Sequence, residues 1–191
     1  MEIRGLRICF PGRVNVENAT AAITVALYAG VTPEEIRVAL PLFKGVSRRF
    51  DVHAKGDRLI YIDDYAHHPR EIEASLSSIR EMWLDKRLTV AFQPHLYSRT
   101  NDFYPEFAKS LNLADQVILL DIYPAREQPI PGVTSGLIAD RLTVPFVRVT
   151  KEEFPEYVKG DVKEGVFMTV GAGDIDRFIP IFTEMFGGTD C

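Results

Sequence analysis

Short apolar runs alternate along most of this chain with longer stretches whose apolar positions recur at helical spacing. The runs Leu59-Ile60-Tyr61-Ile62, Leu88 to Phe92, Val117 to Ile122, Phe146 to Val149 and Val166 to Val170 read as strands. Arg49 to Lys55 and Arg58 to Ile62 read as a strand pair around the Gly56-Asp57 turn. Between these runs, Ile72, Leu76, Ile79 and Trp83 mark a helix that opens at Pro69. Further helices are predicted over Asp102 to Leu111, with Pro105 in the first turn, over Ser135 to Leu142, capped by Thr134 or Ser135, and over Ile175 to Phe186. Strands alternating with helices predict an α/β fold. The sheet is parallel-rich and covered by helices on both faces, and the opening strand pair supplies one antiparallel edge.

The front of the chain reads differently. Leu6 to Phe10 is a short strand-like run ended by Pro11-Gly12, and Asn15 to Ala29 is an alanine-rich helix closed by Gly30. Thr32-Pro33-Glu34-Glu35 is a capping box with proline at the first helical position, and its helix runs to about Leu40. One strand and two helices make a poor free-standing core, so residues 1–46 read as the end of something larger. Gly45 to Phe50 is the linker into a second unit, residues 47–191. No internal repeat or low-complexity segment interrupts either part.

Composition narrows the classes. The 191 residues are 46% hydrophobic and 26% charged, as in an ordinary soluble domain with a sizeable core. A formal net charge of −5 argues against nucleic acid or an anionic membrane as the main partner. No apolar run reaches membrane-spanning length, and the start lacks a signal-peptide pattern. The only cysteines, Cys9 and Cys191, make no disulfide framework and no zinc pair, which fits a reducing cytoplasm.

The chemistry gathers where strands end. Asp63-Asp64-Tyr65-Ala66-His67-His68-Pro69 packs two carboxylates, a phenol and two imidazoles into one strand-to-helix turn. Gln93 to Thr100, Asp121 to Glu127 and Gly171 to Asp174 are polar clusters after three further strands. In a doubly wound sheet all four lie along one carboxyl-end edge, where ligands bind. His67, His68 and His95 suit proton transfer or anion binding, and Arg99 offers a planar fork for a carboxylate or phosphate. The plain alternatives are a turn that Asp64 caps with solvated histidines around it, a capped strand end at His95, and a surface charge at Arg99. His53 lies in strand alternation and reads as structural. Gly171-Ala172-Gly173-Asp174 lacks the third glycine of a dinucleotide loop, so a nicotinamide cofactor is not expected and the glycines read as packing positions. Adjacent side chains in a turn diverge, so no metal site is assigned to Asp63, Asp64, His67 and His68.

At these motifs the sequence resembles the Mur ligase family, and most closely its alanine-adding branch. The matching segments are residues 12–18, 48–51, 63–69, 92–100, 121–127, 129–135 and 171–175, in the family's order. The resemblance implies a three-domain enzyme that uses ATP and Mg²⁺ to activate the carboxylate of UDP-N-acetylmuramate as an acyl phosphate and join it to L-alanine. This chain would hold the tail of the central ATP-binding domain and a Rossmann-like C-terminal domain that closes over the nucleotide. The family's P-loop, G-x-x-x-x-G-K-[ST], is absent from the sequence, so the chain alone is expected to be inert, with Mg²⁺ held mainly by the remaining ligase domains. By the same resemblance Asn15 and Asn18 meet adenine, and Arg49 meets nucleotide phosphate or orients the hinge. Asp64 and Tyr65 contact the nucleoside, His67 faces the reacting groups, and His95 with Arg99 holds the alanine carboxylate. Val14 stands where many members have histidine and Leu96 where arginine is common, which leaves Arg99 as the only arginine of its motif. Two rival readings remain: a recycling ligase that attaches intact peptides, and a non-catalytic nucleotide or amino-acid binding module of the same fold.

Overall fold

The computed structural model describes residues 2–9 and 12–188, and the chain divides into two compact units, one ending at Ser47 and the other beginning at Arg48. In the first, α1 (Arg13–Tyr28) stops where Gly30 takes φ 91°, a left-handed position that glycine adopts at little cost. The second helix, α2 (Pro33–Ala39), starts on a complete capping box: Thr32 Oγ1 accepts from Glu35 N, and the Glu35 carboxylate accepts from Thr32 N at 2.8 Å. A one-turn 3-10 segment, Leu40–Leu42, follows. The strand predicted at Leu6 is not formed. Residues 6–9 belong to no strand, and Phe10 lies outside the described residues. No other described segment of this unit is a strand, so the run has no ladder to join.

In the second unit β1 (Asp51–Lys55) and β2 (Leu59–Asp64) pair antiparallel, and Gly56 N donates to Leu59 O across their turn. Then come α3 (Pro69–Met82), β3 (Leu88–Phe92), α4 (Tyr97–Leu111), β4 (Gln116–Leu119), α5 (Gly136–Ala139), β5 (Phe146–Arg148), α6 (Phe154–Asp161), β6 (Gly165–Val170) and α7 (Ile179–Met185). The sheet order is β1-β2-β6-β3-β4-β5, with every pair parallel except β1–β2. The predicted α/β architecture with one antiparallel edge is therefore present.

Alternation along the strands feeds two apolar layers. Ile60, Ile62, Val90, Phe92, Val117, Leu119 and Met168 face α3, α4 and α5 through Ile72, Leu76, Phe107, Leu111 and Ile138. Tyr61, Ala91, Ile118 and Phe167 face the other way, against Phe154 and Val158 of α6 and Phe182 of α7. Strands covered on both faces read as near-continuous apolar runs, as β3 and β4 do apart from Thr89 and Gln116.

Several boundaries differ from the sequence reading. β1 begins at Asp51 rather than Arg49, because Arg48 and Phe50 have φ 60° and 52°, incompatible with a strand. α4 begins at Tyr97 rather than Asp102, so Pro105 falls inside it and not in its first turn. β4 ends at Leu119, three residues before Ile122. α5 is one short turn on which Thr134 Oγ1, rather than Ser135, accepts from Gly136 N. α6 was not predicted. Its signal is the i, i+4 spacing of Phe154 and Val158 on either side of Pro155, too short a run to stand out. The last predicted helix is split into a 3-10 segment, Asp174–Phe178, and α7, because Pro180 has no N–H to continue the α-helical ladder. Among the described residues no helix is long and apolar enough to cross a membrane.

Candidate functional site

The carboxyl ends of β2, β3, β4 and β6 meet along one edge of the sheet, and the polar clusters that follow them are joined by hydrogen bonds. At the end of β2, Asp63 is fully buried. It accepts from Thr169 Oγ1 at 2.7 Å and from Arg48 Nε at 3.1 Å. Arg48 also donates Nη2 to Gly171 O at 2.6 Å and places Nη1 3.3 Å from Asp176 Oδ2. One guanidinium thus ties β2 to the segment after β6 at two points. Burial raises the Asp63 pKa, and the Thr169 hydroxyl and Arg48 pull it only partly back.

Asp64 is also buried. Its carboxylate accepts from the Ser75 hydroxyl of α3 and from Ala66 N at 3.2 Å, so it fastens the turn to its own helix. The turn continues with Tyr65, whose ring lies under Arg48 and Arg49 at 5.0 and 5.5 Å. Glu71, in the first turn of α3, accepts from His67 N and His68 N at 2.9 and 3.1 Å, while His68 Nδ1 accepts from Arg70 N. His68 is therefore a capping residue, packed 5.1 Å from the Phe103 ring.

His67 points the other way. Its Nδ1 lies 3.0 Å from the Tyr65 carbonyl, which only accepts, so Nδ1 carries the hydrogen and Nε2 is left as the acceptor of the neutral ring. The His67 and His95 rings are 6.2 Å apart, and His95 stacks on Tyr123 at 5.8 Å and 22°. His95 Nδ1 and Arg99 Nη1 are both buried, with no hydrogen-bond partner among the described residues. Burial lowers the His95 pKa, the Arg99 charge adds to that, and so would His67 if its ring were protonated, all of which favour the neutral His95 ring. Buried polar atoms are costly unless paired, and His53 Nε2, Ser135 Oγ and Thr183 Oγ1 also lack a hydrogen-bond partner among the described residues, but only these two lie at the strand-end edge beside another imidazole. A carboxylate accepts from a guanidinium fork and from a ring N–H, the chemistry these two atoms present.

The fourth cluster closes the edge. Gln93 Nε2 donates to Asp174 Oδ1 at 2.8 Å, and Gln93 Oε1 accepts from Ile175 N at 3.0 Å. Lys151 reaches Asp174 at 2.7 Å and lies 5.5 Å from the Tyr123 ring. A Cβ on Gly173 would collide with Gln93 Oε1 and sit 2.7 Å from Tyr123 Cβ. Gly173→Ala is accordingly expected to cost about 1–3 kcal/mol of stability by overpacking, read as a lower urea midpoint. Burial would raise the Asp174 pKa, but hydrogen bonds from Lys151 and Gln93 outweigh it and hold the carboxyl below its ordinary 3.8. A depressed carboxylate stabilises the fold above its unfolded pKa and stops doing so as pH falls through the folded value. Asp174→Asn should therefore lower Tm at pH 7, and the gap to the parent should close toward pH 3.

The site residues expected from sequence are distributed unevenly. His67, His95 and Arg99 come together, with Arg49 and Tyr65 beside them, and Asp64 is turned inward. Asn15 and Asn18 lie on α1 in the first unit. Among the described residues no group of three or more His, Cys, Asp or Glu side chains could hold a metal ion. His53 sits on β1, 3.5 Å from Asp51 and with its ring 5.6 Å from that of Tyr61.

A model of the family described as Mur ligase, glutamate ligase domain, matches residues 48–173. The chain belongs to the Mur ligase family. A UDP-N-acetylmuramate–L-alanine ligase of Phocaeicola vulgatus is 50% identical over 181 residues, 93% of this chain and 39% of that protein. The enzyme of the same name from Porphyromonas gingivalis is 49% identical over 179 residues, again 93% and 39%. Among solved structures, a UDP-N-acetylmuramate-alanine ligase from Thermotoga maritima matches with TM-score 0.78 at 32% identity, covering 95% of this chain and 40% of that one. A murein peptide ligase from Psychrobacter arcticus, at TM-score 0.63 and 21% identity over 97% of this chain and 39% of that one, shares the fold. This Mur ligase chain spans about two-fifths of the length of the curated relatives it matches.

Three residues that organise the Mur ligase edge received no role from the sequence, although Arg48 and Glu127 lie in segments it singled out. Arg48 was overlooked beside Arg49, and only its three-way contact separates the two. Lys151 and Glu127 reach their partners across 23 and 29 residues, a separation no local pattern reports.

Proposed function

We propose that this chain is the carboxyl-terminal portion of a cytoplasmic ligase that joins L-alanine to UDP-N-acetylmuramate for peptidoglycan, and that its strand-end edge receives the amino acid. The observation that carries the reading is the unpartnered pair of buried donors or acceptors, Arg99 Nη1 and His95 Nδ1, within one ring contact of His67. The identity to proteins named for this reaction supports the choice of substrate.

In this reading Arg99 takes the carboxylate of alanine in a charge-assisted pair, and His95 donates to it as a neutral ring. Held in place, the amine meets the activated muramate carboxyl, and orientation supplies much of the rate. His67 offers its free Nε2 to the proton that the attacking amine sheds. Bound ATP supplies the phosphoryl group that activates the carboxylate. Tyr65 and Arg49 present a ring and a cation suited to a nucleoside and its phosphates, and the Asn15 and Asn18 amides suit an adenine edge. Asp64 contributes by holding the turn rather than by touching a ligand. The described residues do not fit Mg²⁺, so no step is assigned to it here.

The test is a chimera that joins this chain to the front portion of the Phocaeicola vulgatus relative. ADP release that depends on both UDP-N-acetylmuramate and L-alanine is expected. Turnover with a tripeptide and not with alanine would reassign the chain to peptide recycling, and a folded, nucleotide-binding chimera with neither would make it a binding module.

A further inference from the structure

We propose that Glu127 is a positioning residue that caps α4 from another strand end and thereby aims Arg99 and His95 at the amino acid. The proposal rests on the alanine-ligase reading for its substrate, but its structural half stands alone. α4 has no cap of its own: the residue before it, Leu96, has an apolar side chain and φ 73°. Such a start leaves N–H groups unsatisfied, at the positive end of the helix dipole. Glu127 fills that role. Its Oε2 accepts from Ser98 N at 3.0 Å and its Oε1 from the Ser98 hydroxyl, one residue before Arg99.

The loop that carries Glu127 is itself fastened to the segment carrying His95. Tyr123 N donates to Pro94 O at 2.8 Å, Leu96 N donates to Tyr123 O at 2.9 Å, and the two backbones form a parallel bridge at His95 and Tyr123. Glu127 N then donates to Pro124 O, across a turn in which Ala125 has φ 50°. Residues 94–98 and 123–127 are thus joined at their backbones and by the carboxylate, and both unpartnered atoms project from the first of these segments or the turn after it. A carboxylate near an anion site is a problem if it is free, because it repels the substrate. Here both oxygens are spent on the helix start. Those two Ser98 bonds hold the Glu127 pKa below its ordinary value, so it is ionised across the working range.

The groups facing His95 are Arg99 on α4, His67 on the turn after β2, and Glu127 and Tyr123 on the loop after β4, with Lys151 beyond Tyr123. Of these only Glu127 raises the His95 pKa. Removing its charge should therefore move the His95 titration to lower pH, which a merely mechanical role would not do.

Two measurements test the proposal. In this chain, nuclear magnetic resonance of Glu127→Gln should show the His95 midpoint shifted down, and Glu127→Ala should show faster amide exchange at Ser98 with the core amides unchanged. An unmoved midpoint and an unchanged Ser98 amide would overturn the cap. In the chimera, Glu127→Ala should raise the KM for L-alanine by about tenfold, the scale of one lost helix cap, and leave the KM for ATP unchanged. Glu127→Gln should recover part of the loss, since its amide oxygen still accepts from Ser98 N. Equal rises in both KM values, or no rise, would overturn the positioning role. A parent chimera without alanine-dependent turnover would count against the ligase reading instead, and the resonance experiment would still judge the cap.

Discussion

Arg48→Ala is expected to cost about 3–5 kcal/mol of folding stability, read from urea unfolding, because it strips a buried carboxylate of its cation. The Asp63 side chain is 0% exposed and that of Arg48 16%, so water cannot take the guanidinium's place. The loss does not measure the attraction between the two. It measures Asp63 left charged in an apolar layer, with only the Thr169 hydroxyl as partner. Backbone strain does not enter, since alanine and arginine meet the same penalty at φ 60°. Arg48→Lys should fall between, because an ammonium cannot serve Asp63, Gly171 O and Asp176 in one fork. The sign of the pH dependence follows from Asp63. Its folded pKa is already raised by burial and rises further without Arg48, so protonation relieves the variant. A raised carboxyl loses its stabilising contribution as pH climbs through the folded value. The deficit should thus be larger at pH 8 than at pH 5. A deficit below about 1 kcal/mol, the worth of an exposed pair, would mean that Asp63 finds another partner.

Arg99→Ala carries the second large effect, on binding rather than folding. In the chimera the KM for L-alanine should rise by about 2 kcal/mol, roughly 30-fold, because a substrate carboxylate would lose its charge partner in a closed site. Stability should change little, since Arg99 Nη1 has no partner to lose among the described residues. Arg99→Lys restores a point charge without the planar fork, and partial recovery is expected. An unchanged alanine KM would remove Arg99 from the amino-acid site and leave its buried nitrogen without a purpose.

Sequence by itself determined the architecture of the second unit. The runs at Leu59, Leu88, Val117 and Val166 are buried on both faces, and apolar continuity follows from that burial whatever the strand order. The turns could be read as well, because Gly30, the Thr32 capping box and Pro69 act within a few residues. The gathering of polar clusters at one edge followed from the parallel winding alone. Boundaries set by distant partners could not be read. α4 starts at Tyr97 because Glu127 arrives from another strand end, and no pattern local to Leu96 foretells it. The strand expected at Leu6 had the right composition and no partner strand among the described residues of its unit.

The site divides along the same line. Residue types at strand ends pointed to His67, His95 and Arg99, but only tertiary structure turned Asp64 inward to Ser75, made His68 a cap, and singled out Arg48 over Arg49. Local sequence sets what a side chain can do, through its reach and its hydrogen-bonding groups. Which way it faces depends on packing between elements far apart in the chain, and that is where a pattern of neighbours carries no information.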